Sequence, residues 1–132
     1  LTLAVGEAPA LRERSVFVDA RAPADRLWAA DVALRCGADG AIGAIVVDAS
    51  AFDIGATRRL QLAARRDGAG RTVALLARPP AEARSLSVAH SRWTTQRHPC
   101  ATDPGWIVAC VRCKGLHPRA GARWTWAVEW RC

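Results

Sequence analysis

The chain contains no methionine, no tyrosine and no asparagine, and it has one lysine, Lys114. A phosphate-cradling Walker A loop needs glycines, a lysine for the phosphates and a Ser or Thr for magnesium. Lys114 is followed by Gly115 and lies late in the chain, so none of these 132 residues can form that loop. No apolar run approaches the ~18 residues of a membrane span. The opening LTLAVGEAPALRERS has no basic start, and Gly6 and Glu7 break its apolar stretch, so it does not read as a signal peptide. No membrane partner is therefore expected. A chain that starts at Leu1 with no methionine predicts either a missing N-terminus or an unusual start codon. There is no internal repeat and no low-complexity segment.

What remains is half apolar, at 51%, in a length that suits one globular domain. The net charge of +7 comes almost wholly from arginine. Arginine, alanine and glycine abound together, as GC-rich codons would produce, but clustered cations also suit a phosphate backbone. Five cysteines without a secretory signal fit reduced thiols in a cytoplasm better than a disulfide framework.

Along the chain, SVFVDA (residues 15–20) is a buried strand by its β-branched and aromatic content. The next segment places Pro23 in a first helical turn, Leu27, Ala30 and Leu34 on one face and Gly37 as a stop. AIGAIVVD (residues 41–48) is apolar throughout until Asp48, as a parallel strand covered on both faces should be. Asp53 can cap a second helix through about Arg66, and TVALLA (residues 72–77) is a third buried strand stopped by Arg78, Pro79 and Pro80. Residues 1–78 thus read β-α-β-α-β, with right-handed crossovers between parallel strands. After a polar connection over residues 79–89, three strand-like runs (SRWTTQR, GWIVACVRCKG and ARWTWAVEWR) sit too close in sequence for crossovers. Residues 90–132 are therefore expected to be antiparallel hairpins.

Several residue sets could carry chemistry. AIVVD fits a Walker B strand, with Asp48 holding magnesium through water. Many parallel strands also end in an acid at the sheet's carboxyl edge. On the second helix Arg58 stacks with Arg65 and Arg59 with Arg66, a basic stripe that could touch DNA. Cys110 and Cys113 form a lone CxxC. A strand sends positions three apart to opposite faces, so the two could converge only at a break, and small buried cysteines are favoured over zinc. No metal or other cofactor is expected. His90, His98 and His117 are scattered, with no nucleophile arranged around them. Trp124, Trp126, Val128 and Trp130 share one face of the last run, and core packing is the expected fate of those rings.

The order of segments, once an extra Ile42-Gly43 step is allowed for, resembles the strand, helix and Walker B strand of RecA. In detail the chain is most similar to the ImuA family of RecA-like accessory proteins in SOS mutagenesis. The runs that carry this are LWAADVALRCGA, FDIGATRRLQLAAR, TVALLARPP, SRWTTQR, VRCKG and WTWAVEW, spread over most of the chain. The resemblance implies a RecA-like three-layer α/β core that lacks its P-loop segment, forms one domain over residues 1–132 and continues into an antiparallel extension. It also implies that Arg112 and Lys114 match the spaced basic pair RecA presents to its neighbour's nucleotide. Solvated cations at a strand end are the simpler reading of that pair. Departures are clear: residues 49–53 and 79–89 are short where RecA has its DNA-binding loops, and Arg78 stands where RecA has a phosphate-sensing glutamine.

The function so implied is that of a non-catalytic, cytoplasmic accessory protein of error-prone translesion synthesis, with no ATPase activity of its own. Its partners would be an ImuB-like Y-family polymerase relative and an error-prone DNA polymerase, with RecA a further candidate and DNA contact weak or indirect. The alternative is an active RecA-superfamily ATPase or DNA-binding protein whose P-loop lies outside this chain. A receiver-like domain with Asp48 as phosphoacceptor lacks the usual acidic pair and late lysine.

Overall fold

A computed structural model describes residues 13–36, 42–65, 72–99, 105–115 and 124–129. Among the described residues it is a mixed α/β protein with two sheets, one of two parallel strands and one of three antiparallel strands. The chain divides into two compact units, one over Phe17–Ala89 and the other joining Leu1–Val16 to His90–Cys132.

The first unit runs α1 (Pro23–Cys36), β1 (Ala44–Asp48), α2 (Ile54–Arg65), β2 (Val73–Ala77) and a 3-10 turn (Pro80–Glu82). Pro23 opens α1, where a missing N–H costs nothing, and the Ala22 carbonyl accepts from the Asp25 and Arg26 N–H groups. Asp25 in the first turn and Arg35 in the last complement the helix dipole. At α2 the expected cap is in place: Asp53 Oδ1 accepts from the Ala56 N–H at 2.7 Å. β1 and β2 pair in parallel with Ala44 opposite Val73 and Asp48 opposite Ala77. The core is Ala30, Leu34, Ala49, Phe52, Leu60 and Ala63, with Ile45, Val47, Ala74 and Leu76 packed against it from the strands. Both helices therefore lie on one face of the parallel sheet.

Two expectations are corrected in this unit. The strands are covered on one face only: along each, burial alternates, and Val46, Val73 and Leu75 on the other face stand exposed. One crossover, β1-α2-β2, links the described parallel strands; α1 precedes β1 and packs beside α2 in the same core, and no described element of this unit covers the other face. The described parallel unit has two layers. Residues 15–20 form no strand: Val16, Phe17 and Val18 are 89%, 83% and 67% exposed. β-branched content suits a strand only where a neighbour supplies the ladder and a face to pack against, and no pairing to this run is formed among the described residues.

The second unit is the meander β3 (Ser91–Arg97), β4 (Gly105–Cys113) and β5 (Thr125–Glu129), in spatial order β3-β4-β5. Both pairings are antiparallel, as the short spacings predict. A bulge at Val111 breaks the β3-β4 ladder: Arg92 faces Arg112 while Trp93 faces Cys110.

Candidate functional site

The carboxyl edge of the parallel sheet gathers the charged side chains of the first unit. Asp48 ends β1, and its Oδ1 accepts from the Ser50 N–H at 2.9 Å. Arg26, from the first turn of α1, crosses this edge. Its Nη1 donates to the Arg21 carbonyl at 2.6 Å, and its Nη2 to both the carbonyl and Oγ of Ser50 at 3.1 Å. Its Nε lies 3.9 Å from Asp48 Oδ2, beyond hydrogen-bond reach, and is buried without a hydrogen-bond partner. Hydrogen bonding from the Ser50 side chain, then from its backbone N–H, holds the Asp48 carboxyl below its ordinary value, and Arg26 adds to this.

The next residues close the loop on itself. Ala51 takes a left-handed conformation at φ 64°, and its N–H donates to both carboxylate oxygens of Glu82, at 3.0 and 3.2 Å. Arg78 Nη2 donates to the Phe52 carbonyl at 2.6 Å, while its Nη1 is buried without a partner. One acid and two arginines thus brace the turn after β1 from three separate segments. Sequence reasoning singled out Asp48 here but not Arg26 or Glu82, whose roles depend on which segments meet at the edge. Among the described residues no three His, Cys, Asp or Glu side chains converge as metal ligands.

The basic stripe on α2 is only partly available. Arg58 and Arg65 are exposed, but Arg59 Nη2 is bonded to Asp31 Oδ2 at 2.8 Å, and Arg66 lies outside the described residues. Arg112 and Lys114 sit exposed at the end of β4, with the Lys114 N–H donating to the His90 carbonyl at 2.8 Å.

The bulge in β4 has a local consequence for the CxxC. Cys110 pairs with Trp93 and Cys113 with Ser91, two residues apart on β3, so both cysteines fall on one face. The strand break that convergence required is present. Both thiols are free and partly buried.

That same face carries aromatics that the sequence did not bring together. In register, Trp93 faces Cys110; Thr95 faces Val108, which faces Trp126; and Arg97 faces Trp106, which faces Val128. Trp93, Trp106 and Trp126 therefore share one side, with the Trp93 and Trp126 ring centroids 5.4 Å apart and tilted by 42°. These three rings are 46%, 51% and 47% exposed, so Trp126 is not in a core as expected. Trp130 lies outside the described residues. The opposite face is made of Thr94, Gln96, Ile107, Ala109, Thr125 and Ala127.

Fold and site together define a mixed α/β protein with a braced acidic turn at the end of a short parallel sheet and an aromatic face on a separate antiparallel one. No family model, no curated protein and no solved structure matches this chain.

Proposed function

We propose that this chain is a non-catalytic accessory protein of SOS-induced, error-prone translesion DNA synthesis. It acts in the cytoplasm by protein contacts within a mutasome, as its resemblance to the ImuA family implies. In this reading its parallel unit corresponds to the part of a RecA-like core that follows the P-loop. Its partners are an ImuB-like Y-family polymerase relative and an error-prone DNA polymerase.

One observation carries the reading. At the sheet edge where an α/β nucleotide site would open, Arg26, Glu82 and Arg78 reach from three other segments to the backbone of residues 50–52, while Asp48 accepts from Ser50 within the same turn. Hydrogen bonds to this turn already engage both arginines and Glu82, which supports a bracing role for them. The outer face of the same sheet, with Val46, Val73 and Leu75 exposed, supplies apolar area of the kind protein interfaces use. Among the described residues no helix is long and apolar enough to cross a membrane.

The test is co-purification of the tagged chain with an ImuB-like partner, using wild type and a Val46→Asp/Leu75→Asp variant. Capture by wild type and its loss in the folded variant are expected. Failure of wild type to capture the partner would overturn the reading.

A further inference from the structure

Residues 90–132 carry seven Lys/Arg against two Asp/Glu, a net +5, whereas residues 1–89 carry twelve against ten, a net +2. The same segment holds five of the six tryptophans, at 93, 106, 124, 126 and 130. Net positive charge, from a scarcity of acids, and indoles therefore coincide in residues 90–132. Register then places three of those rings on one half-exposed face with Arg97 at its end.

We propose that the Trp93, Trp106 and Trp126 face binds single-stranded DNA, whose bases stack on the indoles while Arg97 neutralises its backbone. Stacking on aromatics beside basic residues is how sequence-tolerant single-strand binders work, since every base has a π-face. The charge of the unit matches a polyanion and disfavours a basic or neutral protein surface. The rings select the form of the nucleic acid. Trp93 and Trp126 form a tilted pair with centroids 5.4 Å apart, too close for a base to enter between them, so bases can stack only on the outward faces of these half-exposed indoles. A duplex presents no free base faces to them. Beside the rings the described part of the face offers the Ser91 and Thr95 hydroxyls and the Arg97 guanidinium, and oligo-U tests whether a ribose 2′-hydroxyl adds to binding. This site is separate from the protein contacts proposed above and stands or falls on the antiparallel unit alone.

The experiment is fluorescence anisotropy of the 132-residue chain with a labelled oligo-dT of about 12 nucleotides, a duplex of equal length and oligo-U. Saturable, salt-sensitive binding of oligo-dT is expected, with the duplex weaker. Trp106→Leu and Trp126→Leu should each weaken oligo-dT binding by about 5- to 150-fold, and the Phe replacements should retain most of it. Folded Leu variants that bind like wild type, a duplex bound as tightly as oligo-dT, or oligo-U bound more tightly would each overturn the proposal. Should the Leu variants fail to fold, wild type is photo-cross-linked to iodouracil-substituted oligo-dT. Adducts on Trp93, Trp106 or Trp126 support the site, and adducts confined to residues 17–89 overturn it.

Discussion

Arg59 Nη2 donates to Asp31 Oδ2 at 2.8 Å, and this contact ties α2 to α1. Asp31 is buried, and Arg35 one turn further along α1 donates to both its oxygens, at 3.1 and 3.2 Å. A carboxylate in that position is stable only because it is paired. The Arg59 hydrogen bond is the main cause holding the Asp31 carboxyl below its ordinary value; burial opposes it, and Arg35 assists.

Asp31 should therefore make stability depend on pH in the acid range. Its folded pKa lies below the unfolded value of about 3.9, so its contribution is full above that value and is lost as pH falls through the folded pKa. Asp31→Asn should cost about 1–3 kcal/mol at pH 7, at the lower end because both arginines are half-exposed and screened. The deficit should shrink below about pH 4. Urea melts of both proteins at pH 7 and pH 3 measure it, and an equal deficit at the two pH values would contradict the ion-pair account.

The one-sided parallel sheet makes two strand-and-helix substitutions diverge. Leu60 is 2% exposed, and Leu60→Ala should cost about 2–5 kcal/mol. Val46 is 74% exposed on the outer face, and Val46→Thr should stay within about 0.5 kcal/mol of wild type. A large loss in the Val46 variant would mean that this face is covered in solution.

Ala51 holds a left-handed backbone without being glycine. Its strain is maintained by Glu82, whose carboxylate accepts its N–H. Ala51→Gly should raise the melting temperature, by relief of about 1 kcal/mol less the added flexibility of the unfolded chain. Thermal melts decide it, and a lower midpoint would place the strain elsewhere.

Mg-ATP should show no saturable micromolar site in isothermal titration. No residue of the chain can form a P-loop, which supplies most of the phosphate contacts in such proteins. At the sheet edge Arg26 and Arg78 already donate to backbone carbonyls. A saturable micromolar site would favour the ATPase alternative over an accessory role.

With Arg59 held by Asp31, the α2 stripe offers two exposed cations, Arg58 and Arg65, among the described residues. Replacing both by Ala should leave the salt dependence of oligo-dT binding nearly unchanged. Arg97→Ala should reduce its slope by about 0.7, the value for one phosphate on a single strand. Equal effects of the two variants would return the α2 surface to consideration as a DNA contact.

The sequence by itself determined the elements whose cause is local. Asp53 as a cap, Pro23 at a helix start, the apolar strands ending at Asp48 and Ala77, and the short-spaced antiparallel runs all follow from backbone chemistry within a few residues. It also excluded a P-loop, because the one lysine, Lys114, is followed by Gly115 where that loop needs a Ser or Thr, a fact independent of tertiary structure. Tertiary structure alone decided what covers each face. Among the described residues, 15–20 have strand composition yet no ladder, and Val46 and Leu75 have core composition yet nothing packed over their face, because burial depends on a partner that periodicity does not name. Likewise Trp93, Trp106 and Trp126 lie up to 33 residues apart, and only the strand register, shifted by the bulge at Val111, sets three indoles and two cysteines on one side of a sheet. A one-residue change of register reverses every face in a strand, so that decision belongs to pairing and not to local sequence.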